Sequence, residues 1–143
     1  MILVDTNVLI DYFRGSDPDF NKKFDSLQIG ICGIVKTELL HGARTDDEAD
    51  NMIKTFTSFE LITIDEYDWE FAGLMLQTFR SQGISIPVTD ALIAYIGIKY
   101  DIPVWTNDKH FKYMQAIYPE LKLYEEPVWF VINFFNFAFW LFL

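Results

Sequence analysis

Four acidic residues, Asp5, Glu38, Asp90 and Asp108, stand where this chain could gather them for chemistry. Asp5 ends the apolar run Ile2, Leu3, Val4, and the chain turns apolar again at Val8. Burying an ionised carboxylate costs several kcal/mol unless a positive group or strong donors compensate it. Asp108 closes Pro103-Val104-Trp105-Thr106-Asn107, and Asp90 follows Pro87-Val88-Thr89. Glu38 falls on the helical stripe made by Ile34 and Val35, a poor place for a merely solvated acid. Converging carboxylates repel, by roughly 4 kcal/mol for a pair ~4 Å apart at an effective dielectric of about 20. Oxygen-rich clusters of this type hold Mg²⁺ or Mn²⁺, with waters and substrate phosphate filling the remaining positions.

Each residue also has an ordinary reading. Asp90 and Asp108 could be first-turn acids favoured by the helix dipole, with Thr89 and Asn107 as N-caps. His41 and His110 each lie a few residues from one of the four acids, and a lone histidine reads first as a surface or capping group. The aromatic residues read as core material, with Phe111 an anchor behind Asp108.

The elements that must position the acids follow from periodicity. Residues 2–4, 28–32, 61–64, 103–105 and 121–124 read as strands. Helices are expected over 6–13, 19–27, 34–43, 46–58, 66–82, 89–100 and 108–117, with breaks at Gly15 with Pro18, at Gly83 and before Pro103. Strands alternating with helices predict an α/β fold with a mainly parallel sheet, whose ligands gather at the carboxyl ends of the strands.

The chain has 143 residues, enough for one domain, and a formal net charge of −10. That acidity argues against nonspecific binding to a polyanion, although a carboxylate cluster becomes locally positive once it holds a metal. The single cysteine, Cys32, excludes an intramolecular disulfide and reads as an inert core thiol in a reducing compartment. Asp5 and Asp11 interrupt the first hydrophobic stretch and no basic segment precedes it, so a cytoplasmic address is expected. The expected division is a domain over 1–126 and a hydrophobic, aromatic extension over 127–143. That extension is short for a span of about 20 apolar residues and has no basic flank, so packing on the domain or on a second copy, or a cloning or frame-shifted origin, is expected over crossing a membrane.

Three segments in order, VDTNVLIDYF, TELLHGA and IPVTDALIAYIGIKYDIPVWTNDKHF, resemble PIN-domain ribonucleases, in particular the VapC-type toxins of toxin–antitoxin pairs. The resemblance covers about residues 1–125 and implies a three-layer α/β/α fold with a five-stranded parallel sheet of order 3-2-1-4-5. It further implies that Asp5, Glu38, Asp90 and Asp108 are the catalytic, metal-holding acids, with Thr6, Asn7 and Thr106 as supporting polar residues. The implied activity is Mg²⁺- or Mn²⁺-dependent endonucleolytic hydrolysis of RNA, with a cognate antitoxin as partner and a homodimer as the assembly. Arg14, Lys36, Arg44, Lys109 and Lys112 are then candidates to meet the RNA backbone, or else ordinary surface charges. Two rivals remain. A haloacid-dehalogenase-like phosphatase would need a second Asp at position 7, where this chain has Asn. A noncatalytic PIN-like module that binds RNA or protein would not need all four acids.

Overall fold

A computed structural model of the chain describes residues 1–125; the expected extension over 127–143 lies outside the described residues. The strands are β1 (Ile2–Val4), β2 (Ile29–Cys32), β3 (Glu60–Ile62) and β4 (Val104–Trp105). The helices are α1 (Thr6–Arg14), α2 (Pro18–Asp25), α3 (Gly33–His41), α4 (Asp46–Phe56), α5 (Glu66–Ser81), α6 (Val88–Lys99) and α7 (His110–Ile117). All strand pairs are parallel and the order is β3-β2-β1-β4, with Leu3 paired to Gly30 on one side and Val104 on the other.

The α/β reading holds, and the strand count is corrected from five to four among the described residues. At the position expected for a fifth strand, Leu123 makes a single parallel bridge to Val104. Val104 N–H donates to Lys122 O at 2.9 Å, and Tyr124 N–H donates to Val104 O at 2.8 Å. With only two residues in β4, there is no length of ladder for a fifth strand to extend along.

β1, β2 and β4 are buried throughout, as expected of strands covered on both faces. Leu3, Val4, Val8, Ile31, Ile93, Ile96 and Phe111 lie in the core, and Cys32 is a buried free thiol whose pKa burial pushes up. Gly15, at φ 59°, ends α1 in the left-handed region. Three residues later Pro18 starts α2 rather than merely ending α1, behind Asp17, whose carboxylate accepts from Asp19 N and Phe20 N.

α6 lies close against β4 because Gly97 carries no side chain. A Cβ there would sit 2.6 Å from Val104 Cγ2. α5 is tied to α6 by an ion cluster in which Lys99 Nζ donates to Asp65 Oδ2 at 2.7 Å and to Asp68 Oδ1 at 2.8 Å. Asp68 is almost fully buried and also closes the capping box of α5.

Gly97→Ala is expected to destabilise the fold by about 1–3 kcal/mol, the usual range for overpacking. Urea denaturation checks this; an unchanged midpoint would mean that α6 can move off β4 at no cost.

Candidate active site

Asp5 leaves β1 directly into the N-terminus of α1, where it is the N-cap and only 5% exposed. One carboxylate oxygen accepts from Thr6 N–H at 2.7 Å. The other accepts from the Asn7 side-chain amide at 2.7 Å and from the Thr106 hydroxyl at 2.7 Å. Thr106 follows β4, so Asp5 joins the ends of the two central strands. Asn7 adds a second tie, because its side-chain oxygen accepts from Asn107 N–H at 3.0 Å. Position 7 thus supplies a donor to Asp5, not the second acid that the phosphatase reading requires.

Glu38 reaches the same place from α3, where its Oε2 accepts a hydrogen bond from the Thr6 hydroxyl. Asp90 stands in the first turn of α6, but that helix starts from Pro87 without a side-chain cap, so Thr89 does not cap it. Asp108 itself bonds the N-terminus of α7, its Oδ1 accepting from His110 N–H at 2.9 Å, and its own N–H donates to Thr106 Oγ1 at 2.9 Å. Asn107 is therefore not the cap that the ordinary reading assigned. Phe111, fully buried, anchors the same turn.

The four acids divide into two sets. Ligand atoms of Asp90, Asp108 and His110 all lie within 4.8 Å of one another. Asp5 and Glu38 fall outside that tight group, linked to each other through Thr6 and acting on Asp90 through their charge. Burial pushes the Asp90 carboxyl up to about 6; the Asp5 and Asp108 charges push the same way, His110 opposes them, and Glu38 adds to the rise. Burial also raises Asp5, against the lowering effect of the donors from Thr106 and Thr6, with Glu38 and Asp108 adding to the rise. Asp90 Oδ2 and His110 Nδ1 are both sealed from solvent without a hydrogen-bond partner. Two orphaned donor atoms beside further carboxylate oxygens fit a divalent cation.

His110 is the residue that sequence reasoning undervalued. Its Nδ1 lies 3.0 Å from Asp108 Oδ1 and 3.6 Å from Asp90 Oδ2. The available signal was its spacing, two residues beyond Asp108, but the approach to Asp90 comes only from the packing of α6 beside α7. Among the basic candidates, Arg14 and Arg44 line a cleft of about 350 Å³ that reaches Glu38. Lys36 instead places its ammonium over the Phe56 ring, 5.6 Å from the centroid.

Comparison with protein families decides the lineage, because the PIN domain matches residues 2–117. The chain belongs to the PIN-domain family. A relative named Ribonuclease VapC1, from Methanocaldococcus jannaschii, is 30% identical over 128 residues, covering 87% of this chain and 88% of that protein. Among solved structures, VapBC2 from Rickettsia felis bound to a promoter DNA fragment matches with a TM-score of 0.74 at 22% identity. That match covers 89% of this chain and 100% of the other. FitAcB from Neisseria gonorrhoeae matches with a TM-score of 0.69 at 18% identity, over 87% of this chain and 97% of the other. These structural matches establish the shared fold.

Asp90 sets a pH dependence for the metal-free protein. Its folded-state pKa of about 6 exceeds the ordinary 3.8, so between those values the folded chain holds more protons than the unfolded one. Its contribution to stability therefore falls as pH rises through that window and stays unfavourable above it. In chelator at about pH 7, Asp90→Asn is expected to be more stable than the wild type by roughly 1–2 kcal/mol, a gain that disappears near pH 4. Urea denaturation at the two pH values checks this; a variant equally or less stable at pH 7 would contradict the cost assigned to burying the Asp90 charge beside Asp5 and Asp108.

Proposed function

We propose that this PIN domain is a divalent-metal-dependent endoribonuclease, the toxin of a type II toxin–antitoxin pair. The observation that carries the reading is the convergence of Asp90, Asp108 and the orphaned donors at the strand ends, beside Asp5 and Glu38. The relative named Ribonuclease VapC1 supports RNA as substrate, and the VapBC and FitAB complexes among the structural matches support a protein antitoxin as partner.

In this reading Asp90 and Asp108 hold Mg²⁺ or Mn²⁺. When bound, such a cation lowers the pKa of an attacking water and neutralises charge developing on the leaving 3′ oxygen. Asp5, clamped by three donors, sets the negative potential behind the site and fixes the separation of β1 and β4. Glu38, oriented by the Thr6 hydroxyl, is a carboxylate available to accept the water's proton. Arg14 and Arg44 offer cationic groups to the RNA backbone along their cleft, which offsets the unfavourable net charge locally. The homodimer is carried over with the family, and exposed Leu61, Trp69 and Leu74 supply apolar surface for it.

Asp5→Asn and Asp90→Asn are each expected to reduce metal-dependent RNA cleavage by about 100-fold or more, and chelator to abolish it. Cleavage unchanged by chelator and by both substitutions would defeat the mechanism. Expression of the wild type is expected to arrest growth, with relief by the neighbouring small gene. An active nuclease that causes no arrest would be a processing enzyme instead, and metal-free RNA binding without cleavage would favour the noncatalytic module.

A further inference from the structure

We infer that His110 is a direct nitrogen ligand of the metal site, and that it tilts the site toward Mn²⁺ and against Mg²⁺. This rests on the metal-dependent reading above and adds a donor that a purely carboxylate set lacks.

The argument is geometric. His110 Nδ1 lies 3.0 Å from Asp108 Oδ1 and 3.6 Å from Asp90 Oδ2. Adjacent donors on an octahedron with bonds of about 2.1 Å are separated by about 3 Å and opposite ones by about 4.2 Å. The 3.0 Å pair matches adjacent positions, the 3.6 Å pair lies between the two spacings, and all three groups bring ligand atoms within 4.8 Å of one another. The spacing to Asp108 also falls within hydrogen-bonding distance, yet His110 Nδ1 makes no hydrogen bond and is sealed from solvent. Asp90 Oδ2 is orphaned in the same way. Two sealed, unsatisfied atoms 3.6 Å apart call for a shared partner, which a cation bound to both would supply.

The backbone supports this aim. His110 opens α7, and its N–H is bound by Asp108 Oδ1, so the turn that positions Asp108 also holds the imidazole beside it. The ring is about one third exposed, and the nitrogen facing the acids is the sealed one. Mg²⁺ is a hard cation that favours oxygen donors and retains its waters, whereas an imidazole in the ligand set favours first-row transition ions. A site of two carboxylates and one imidazole therefore discriminates where a site of carboxylates alone would not.

The chain has two histidines, which makes the test clean. His41 ends α3 in an exposed position, so His41→Asn serves as the control. Pulsed electron paramagnetic resonance on Mn²⁺ bound to the full chain reads directly coordinated ¹⁴N, and titration gives the Mn²⁺ and Mg²⁺ dissociation constants. The wild type and His41→Asn are expected to show the nitrogen coupling. In His110→Asn it should vanish, with Mn²⁺ affinity falling about tenfold or more while Mg²⁺ affinity changes little. Retained Mg²⁺ binding also reports that the variant is folded around Asp90 and Asp108. Bound Mn²⁺ without nitrogen coupling, or equal losses for both ions, overturns the assignment of His110 and leaves the metal-dependent nuclease standing. Failure of the wild type to bind either ion overturns both.

Discussion

The structure turns on a carboxylate with no cation of its own. Asp5 is buried at the end of β1, and its two oxygens are met by a backbone N–H, an amide and a hydroxyl. Neutral donors satisfy the lone pairs but leave the charge in place. The donors come from α1 and from the segment after β4, so solvating this one carboxylate also fixes how two segments about 100 residues apart meet. Every other acid of the site is then placed against a potential that is already negative.

Comparison with Asp68 shows what that means. Asp5 and Asp68 are the two buried charged residues among those described. Asp68 is neutralised within the chain by Lys99, which binds both of its oxygens and Asp65 as well, and Asp65 and Lys99 shift in the directions a mutual ion pair demands. That cluster needs no further partner and serves to join α5 to α6. At Asp5 the nearby charges are Glu38 and Asp108, both of the same sign. One buried carboxylate is thus closed electrostatically, and the other leaves a site for something the chain does not provide. With no cation present, burial and the neighbouring acids hold the Asp90 carboxyl up at about 6, so this second arrangement costs stability as pH rises above that value.

Much of this was legible in the sequence. The run Ile2 to Val4 followed by Asp5 specified a buried strand ending in an acid, and the family resemblance marked Thr6 and Asn7 as polar support; that Asp5 caps α1 and accepts from both residues came from the structure. Gly15, Gly83 and the alternation of strand and helix patterns marked the architecture. The expected fifth strand was less secure, because Leu121 to Tyr124 has a strand's composition but meets only a two-residue neighbour, so one bridge forms instead of a ladder. The ordinary alternative, with Thr89 and Asn107 as N-caps, does not hold: α6 begins at Pro87 without a side-chain cap, and Asp108 supplies the hydrogen bond at α7. A boundary shift of one or two residues lies within ordinary fraying, yet here it decides whether an acid is capped or does the capping.

The amino-acid sequence by itself determined the fold class, the order of the four acids and the placement of Asp5 at the end of the first strand, because periodicity and covalent adjacency act over a few residues. Tertiary structure alone decided that Asp90, Asp108 and His110 form the tight group while Asp5 and Glu38 stand behind it. It also decided that His110 turns a sealed, unpaired nitrogen toward two carboxylates instead of behaving as a surface imidazole. Direction and burial of a side chain depend on which helix packs beside it, and α6 packs beside α7 in a fold where β4, which lies between them in the chain, is paired with β1.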